Sequence, residues 1–476
     1  MNTMLTVSAF IFPLITFPYV SRVLGAAGNG KISFAVSIIS YFSMLAQLGI
    51  PTYGIKVCAA CRDDKRKLNQ TVQELLIINT FSVAVVYVLF AISVLTIPKF
   101  QNYRLLLIIT SVTILLDEMG IDWLFQALEQ YSYITIRNVA FKVVSIILMF
   151  AFVHKASDYI LYGAISVFAT CGSNVWNMIY ASRFLDHRPL GHYKIKRHIK
   201  PIFDFFMLSV SISVYTSLDT VMLGFMTNNA EVGYYTAATK IRTILASLST
   251  ALGRVLMPRI SNYVANGKTE QFADIIKKSF KFTLLITIAV TIYFFVMADA
   301  TIDLLAGRGY DKAVIPMRIL MFTVILIGLS SLTGMQILIP SNRENCTTIS
   351  TMAGAAVNLA VNAVAIPHYA ASGAAAGTVA AEVTVLAVQM VFVRKELFQM
   401  ISGMRIYKVI LSNFIAAILL ITLKHSLPIE NSFLQLAITS LAFFATYGLC
   451  LIAFREEFVL EYLMRFRTGI CKRLRG

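Results

Sequence analysis

The residues of this sequence best placed to do chemistry are ionisable side chains inside long apolar runs. Asp117, Glu118 and Asp122 share one such run, Asp219 lies in another, Lys240 and Arg242 in a third and Glu382 in a fourth, while Arg22 stands just past the first. An ionised group at the centre of a membrane helix costs about 2.5–3.5 kcal/mol on insertion scales unless it meets a partner or water. Acidic groups mainly in one half and basic groups mainly in the other suit a water-filled cleft between lobes; the structural alternative is ion pairing between helices or placement at the membrane interface. Glu118 and Asp122 are four residues apart, and Asp122 and Glu129 seven apart, which predicts that the three share one helix face. A hydroxyl-rich stretch, Ser209, Ser211, Ser213, Tyr215, Thr216 and Ser217, leads to Asp219, and Tyr234, Tyr235, Thr236 and Thr239 open the next run. In lipid such hydroxyls either bond between helices, at about 1 kcal/mol each, or line a hydrated wall able to pass a sugar.

Other motifs carry less. Gly25-Ala26-Ala27-Gly28-Asn29-Gly30-Lys31 fits the first seven places of a phosphate-binding loop, but Ile32 occupies the position that would hold magnesium, so ATP binding is not expected. Cys58 and Cys61 form a C-x-x-C with no second pair or histidine cluster near it, so neither a metal nor redox chemistry is expected. Gly373 and Gly377 frame a small-residue stretch that predicts close helix packing. Pro13 and Pro18 predict a bent first helix.

These residues are positioned by a membrane architecture. Of the 476 residues 58% are hydrophobic and 14% charged, and the mean hydropathy is +0.74, against about 25% charge in a soluble chain. A soluble enzyme, a single-pass receptor and a disulfide scaffold are excluded. Fourteen apolar stretches of spanning length fall near 3–21, 32–52, 74–97, 104–126, 134–153, 158–181, 203–226, 232–256, 280–304, 314–338, 347–366, 371–393, 407–424 and 433–454. The weakest is 232–256, which contains Lys240 and Arg242. The first stretch lacks the basic leader of a cleavable signal and reads as a membrane helix. With both termini cytoplasmic, most of the 41 Lys and Arg fall in cytoplasmic loops, which accounts for the net charge of +17 without nucleic acid.

An internal repeat aligns Gly30 with Gly233 and Pro51 with Pro258, offsets of 203 and 207. The expected fold is therefore an all-α polytopic protein: two six-helix lobes in pseudo-twofold parallel repeat around a central cavity, followed by two extra helices. The expected boundaries are 1–182 for the first lobe, 183–202 for a basic cytoplasmic linker, 203–394 for the second lobe, 395–454 for the extra helices and 455–476 for a basic tail.

Four stretches resemble the Wzx-type polysaccharide-export flippases of the multidrug/oligosaccharidyl-lipid/polysaccharide exporter superfamily. They are Phe17-Pro18-Tyr19-Val20-Ser21-Arg22-Val23-Leu24-Gly25; Asp122-Trp123-Leu124-Phe125-Gln126-Ala127-Leu128-Glu129; Leu218-Asp219-Thr220-Val221-Met222-Leu223-Gly224 with Val232-Gly233-Tyr234-Tyr235; and Asn358-Leu359-Ala360-Val361-Asn362 through Ile366-Pro367 to Gly373 and Glu382. The resemblance implies a twelve-helix core with alternating access, in a bacterial cytoplasmic membrane, that translocates undecaprenyl-diphosphate-linked oligosaccharide for O-antigen, capsule or exopolysaccharide synthesis. It also implies that Arg22 and Lys240, with Arg242 beside them, hold the diphosphate, a charge-assisted pairing that offsets what the membrane penalises. Asp219, Tyr215, Ser217 and Tyr235 are then the cavity set for sugar or a coupling ion, and Asp117, Glu118, Asp122 and Glu129 an acidic set for ions or structure. Lys240 stands where relatives often carry arginine, giving a point charge without bidentate geometry. Proton or sodium coupling, a polymerase and a chain-length regulator are the partners implied; no cofactor and no enzymatic activity are expected. The competing reading is a cation-coupled multidrug or small-metabolite exporter of the same superfamily, whose cleft should favour acidic and aromatic lining.

Overall fold

The computed structural model describes residues 2–185, 191, 193–401, 404–426 and 429–460, with side chains described except at 2–11, 208, 211–216, 254, 398–399 and 401. The basic tail from 461 onward and the side chain of Tyr215 therefore lie outside the described residues. Regular structure among the described residues is helical throughout. The fourteen apolar stretches all fall in helices interrupted only by short breaks, as expected where every backbone polar group must be satisfied within its own segment. Among the described residues, eight helical stretches are long and apolar enough to cross a membrane, and two of them, Phe12–Ala60 and Glu344–Leu397, are divided by internal kinks.

Two compact units divide the chain, Met1–Thr236 and Ala237–Gly476. The first contains α1 (Asn2–Gln47), α2 (Ile50–Ala60), α3 (Lys65–Thr96), α4 (Pro98–Gln101), α5 (Arg104–Gly120), α6 (Asp122–Ala127), α7 (Tyr131–Phe152), α8 (Tyr159–Cys171), α9 (Asn174–Ala181) and α10 (Lys196–Met226). Helix α11 (Asn229–Ala265) begins in the first unit and continues into the second. The second unit goes on with α12 (Thr269–Val296), α13 (Ala298–Ala306), α14 (Val314–Ser331), a π-helical turn Leu332–Leu338, α15 (Glu344–Ile401), α16 (Tyr407–Ser426) and α17 (Ser432–Ala453). Helix α10 starts at Lys196, inside the basic stretch expected to be a linker.

Local sequence explains the breaks. Gly25 has φ 66 and ψ 179 within α1, a conformation open to glycine and closed to most side chains, so a kink falls there. Gly49, at φ 77, separates α1 from α2, whose first turn takes Pro51 because a proline there gives up no helical hydrogen bond. Its repeat counterpart Pro258 lies inside α11. Between α7 and α8 the backbone N–H groups of His154 and Lys155 donate to Asp158 Oδ2 at 2.9 Å each and hold that carboxyl below the usual carboxylate range.

Each unit has its own core. In the first, Ile50 and Tyr53 of α2 pack with Leu68, Val72 and Leu75 of α3 and with Trp123, Leu124 and Phe125 of α6. In the second, Leu285, Ala289 and Tyr293 of α12 pack with Val409 and Leu420 of α16 and Phe443 and Tyr447 of α17. Phe81, Val88 and Leu95 of α3, Ile136, Val143 and Ile147 of α7, and Leu441 and Leu449 of α17 form exposed apolar faces suited to lipid.

The glycine-rich stretch that resembles a phosphate loop is a packing device. A Cβ on Gly30 would lie 1.7 Å from the carbonyl oxygen of Asn229, and one on Gly233 would lie 2.0 Å from that of Ala26. Gly30→Ala is therefore expected to destabilise the purified protein by about 1–3 kcal/mol through overpacking. A thermal unfolding midpoint in detergent at or above that of the wild type would contradict the close approach.

Candidate functional site

The acidic set does not share one face, contrary to its spacing in the sequence. Helix α5 ends at Gly120, Ile121 adopts φ 36 and ψ 31, and α6 begins at Asp122, so the periodicity that would align Glu118 with Asp122 is broken between them. Glu129 lies beyond α6 at φ 58. Each carboxylate has a separate partner: Thr80 Oγ1 donates to Glu118, Arg62 Nη1 lies 2.8 Å from Glu129 Oε1, and Arg137 Nη2 lies 2.9 Å from Asp122 Oδ1. Asn177, fully buried, donates to Asp122 Oδ1 at 2.7 Å and to the carbonyl of Gly120, and accepts from Arg137 Nη1. One amide thus ties together both sides of the break. Trp123 closes the joint against α2, where a Cβ on Gly54 would lie 2.7 Å from its ring.

Asp117 sits differently. Gln47 Nε2 donates to Oδ2 at 3.1 Å and Cys171 Sγ donates to Oδ1 at 3.1 Å. It lines a cavity of about 550 Å³ within the first unit, together with Ser40, Ser43, Thr110, Thr170 and Ser209. A carboxylate facing neutral donors in a hydroxyl-lined cavity can hold a cation or a hydroxylated ligand.

The remaining predicted residues fall into local groups. In the first unit Asp219 is buried and accepts a 2.5 Å hydrogen bond from Tyr235 Oη, joining α10 to α11, and Ser217 lies half-buried on α10. Arg22 is exposed, and its Nη1 donates to the carbonyl of Pro18 at 2.8 Å, one turn back along α1. In the second unit Lys240 is half-buried on α11, and Arg242 Nη1 stands 4.0 Å from Oε1 of the buried Glu382. Gly373 and Gly377 pack as expected: a Cβ on Gly373 would lie 2.3 Å from the carbonyl oxygen of Ala365. Cys58 is buried and Cys61 half-buried, and no group of three metal-binding side chains occurs among the described residues.

A further cluster lies on the same side of the first unit as the basic loops. Glu74 of α3, 0% exposed, accepts at Oε1 from the backbone N–H of Lys194 (2.7 Å) and from Gln70 Nε2 (3.0 Å). At Oε2 it meets Arg197 Nη2 and Nε, at 2.7 and 3.0 Å, and His198 Nε2 at 2.7 Å. His198 Nδ1 lies 2.8 Å from Tyr53 Oη, so α2, α3 and the start of α10 meet on one carboxylate.

Residues 1–264, more than half of the chain, match the family described as "Polysaccharide biosynthesis protein". The chain belongs to that family. A protein of Escherichia coli (strain K12) described as "Putative O-antigen transporter" is 25% identical over 393 residues, covering 81% of this chain and 94% of that relative. A Shigella dysenteriae protein of the same description is 22% identical over 373 residues, 76% of this chain and 91% of the relative. Among solved structures, "Lipid II flippase MurJ, inward closed conformation" superposes with a TM-score of 0.77 at 14% identity, covering 95% of this chain and 98% of that one. An inward-facing MATE family transporter of the MOP superfamily gives 0.61 at 13% identity over 83% and 99%. At these identities the likeness is one of fold: the chain shares the polytopic helical architecture of these two proteins.

Family membership does not assign the site. Sequence reasoning passed over Arg137 and Lys142, both inside the apolar run 134–153, although the criterion that selected Asp117 and Lys240 applies equally to them. Glu74 and Asn177 carried no such signal, because one lies at the edge of a run and the other is uncharged. Glu74→Ala leaves the buried His198 and the backbone N–H of Lys194 without their acceptor and releases the exposed Arg197, and is expected to cost about 1–3 kcal/mol. Glu74→Gln, which keeps an acceptor oxygen, should cost less. Equal unfolding midpoints for Glu74→Ala and the wild type in detergent would show that this carboxylate does not hold the three helices together.

Proposed function

We propose that this protein is a flippase that carries undecaprenyl-diphosphate-linked oligosaccharide repeat units from the cytoplasmic to the outer leaflet of a bacterial cytoplasmic membrane, by alternating access, for surface polysaccharide synthesis. The observation that carries this reading is the likeness to the E. coli O-antigen relative over 94% of that protein's length, in a family described by polysaccharide biosynthesis. The chemistry of the chain supports it. A sugar head cannot cross hydrocarbon without losing its hydrogen bonds to water, and the largely apolar cavity of the first unit carries Gln47, Asp117 and several hydroxyls that can replace some of them. Arg22 and Lys240 each supply a cation suited to phosphoryl oxygens. Asp117, whose neighbours in the cavity are neutral donors, is the carboxylate we assign to a coupling proton or sodium ion.

The decisive experiment deletes the gene while leaving the rest of the pathway intact and locates the lipid-linked sugars. Complete repeat units trapped on the cytoplasmic leaflet, and released by the wild-type gene, are expected. Complete units accumulating on the outer leaflet would assign the protein to a step after translocation, and no change in them would favour a cation-coupled exporter of other small molecules. In the complemented strain, Arg22→Gln and Lys240→Gln are each expected to lower export about tenfold or more at unchanged protein level, whereas Lys240→Arg retains most of it. Full export by both neutral variants would remove these two residues from phosphate binding.

A further inference from the structure

Lys142 is an intramembrane cation to which the comparisons assign no role. It stands near the middle of α7, ten residues before Phe152, so about 15 Å of helix separates it from either end. Long basic side chains near helix ends reach the interface; one at mid-helix does not. It is not turned to lipid either. The lipid-facing side of α7 carries Ile136, Val143 and Ile147, whereas Lys142 falls on the side of Thr135, Asn138, Ser145 and Met149, of which Thr135, Ser145 and Met149 are buried.

Among the described residues Lys142 has no carboxylate in contact. Its Nζ lies 6.0 Å from the ring centre of Phe12 on α1, and no carboxylate among the described residues stands within 4.0 Å of it. The segment of α1 before Phe12 contains no Asp or Glu. Arg137, one and a half turns earlier on α7, shows the contrast, since it is buried and bound to Asp122 and Asn177. A cation kept on the inward side of a membrane helix without a carboxylate costs free energy that an anionic ligand returns.

Position along the unit adds a direction. Tyr19 stacks edge-on against Phe150 at 4.6 Å, and its hydroxyl donates to the carbonyl of Val153 at 2.7 Å, so α1 and α7 run side by side in the same sense, with Phe12 level with Lys142. Arg22 lies ten residues beyond Phe12 on α1, about 15 Å further along the same pair of helices.

We infer that Lys142 is an anion-binding residue of the first unit, a second cation behind Arg22 on the translocation path, that engages an anionic group on the head of the lipid-linked substrate. This rests on the flippase reading and deepens it. Two parts of such a head share the chemistry, the diphosphate and an acidic sugar. A cation here holds the group while it is deepest in the membrane, and Arg22 receives it nearer the end of α1.

The test uses full-length protein in lipid nanodiscs, with Lys142→Gln and Lys142→Arg beside the wild type. The probes are undecaprenyl diphosphate, undecaprenol and the lipid-linked repeat unit extracted from the deletion strain. Lys142→Gln is expected to bind undecaprenyl diphosphate about tenfold or more weakly, to bind undecaprenol unchanged, and to export poorly in cells, while Lys142→Arg remains close to the wild type. A loss confined to the complete repeat unit assigns the anion to the sugar. Removing a mid-membrane charge favours insertion, so Lys142→Gln is expected to fold, and its unfolding midpoint checks this. Unchanged affinity for both anionic probes with unchanged export overturns the assignment and leaves the flippase reading standing. A wild-type protein that binds neither undecaprenyl diphosphate nor the complete repeat unit better than undecaprenol overturns both.

Discussion

An ionised side chain inside a bilayer must be paired, hydrogen-bonded or in contact with water, and much of this structure follows from that requirement. The same rule governs the backbone, because a carbonyl freed by a helix break finds no water in hydrocarbon. At the end of α5 the two problems share one solution. The break at Ile121 frees the carbonyl of Gly120, Asn177 takes it up, and that amide also fixes Asp122 against Arg137. The charge stabilises the break, and the break supplies the geometry that lets the charge be paired.

The D-W-x-F-Q-x-x-E stretch acquires a physical meaning from this joint. Asp122 anchors it to α7, Trp123 packs on Gly54, Phe125 enters the core with Leu68 and Leu75, and Glu129 reaches Arg62 at the edge. Four positions of one short segment thus bind it to four other parts of the same unit. The Glu74 cluster does the same for the start of α10, where Arg197 and His198 converge on a carboxylate in α3. Both are devices for holding helices at fixed angles inside a unit. Pairs of this kind give less net stability than their short distances suggest, since desolvation opposes them, but removing one partner is costly.

The sequence made the membrane architecture legible because its signal is additive: twenty apolar residues in a row outweigh any local irregularity. The placement of carboxylates was not legible in the same way. A spacing of four and seven presumes an unbroken helix, and nothing in Gly120-Ile121-Asp122 announces that a β-branched residue will adopt a left-handed conformation. The kink at Gly25 was nearly legible, since glycine is the residue for positive φ. Arg242 and Glu382 were both picked out as intramembrane charges, yet 140 residues of chain separate them, and their proximity belongs to tertiary structure alone.

Asp117 and Asp122, five residues apart on either side of the break, show how one helix region divides two roles. Asp122 faces a guanidinium, so its charge is cancelled within the protein and its position is fixed. Asp117 faces an amide and a thiol, donors that stabilise a carboxylate without neutralising it, and it opens on a cavity lined by hydroxyls. A charge already cancelled gains little from a cation; one held by neutral donors in a low-dielectric cavity gains much. The break at Ile121 turns the two carboxylates into different surroundings, so the strained residue is what lets one segment place Asp122 as a structural anchor and Asp117 against the cavity.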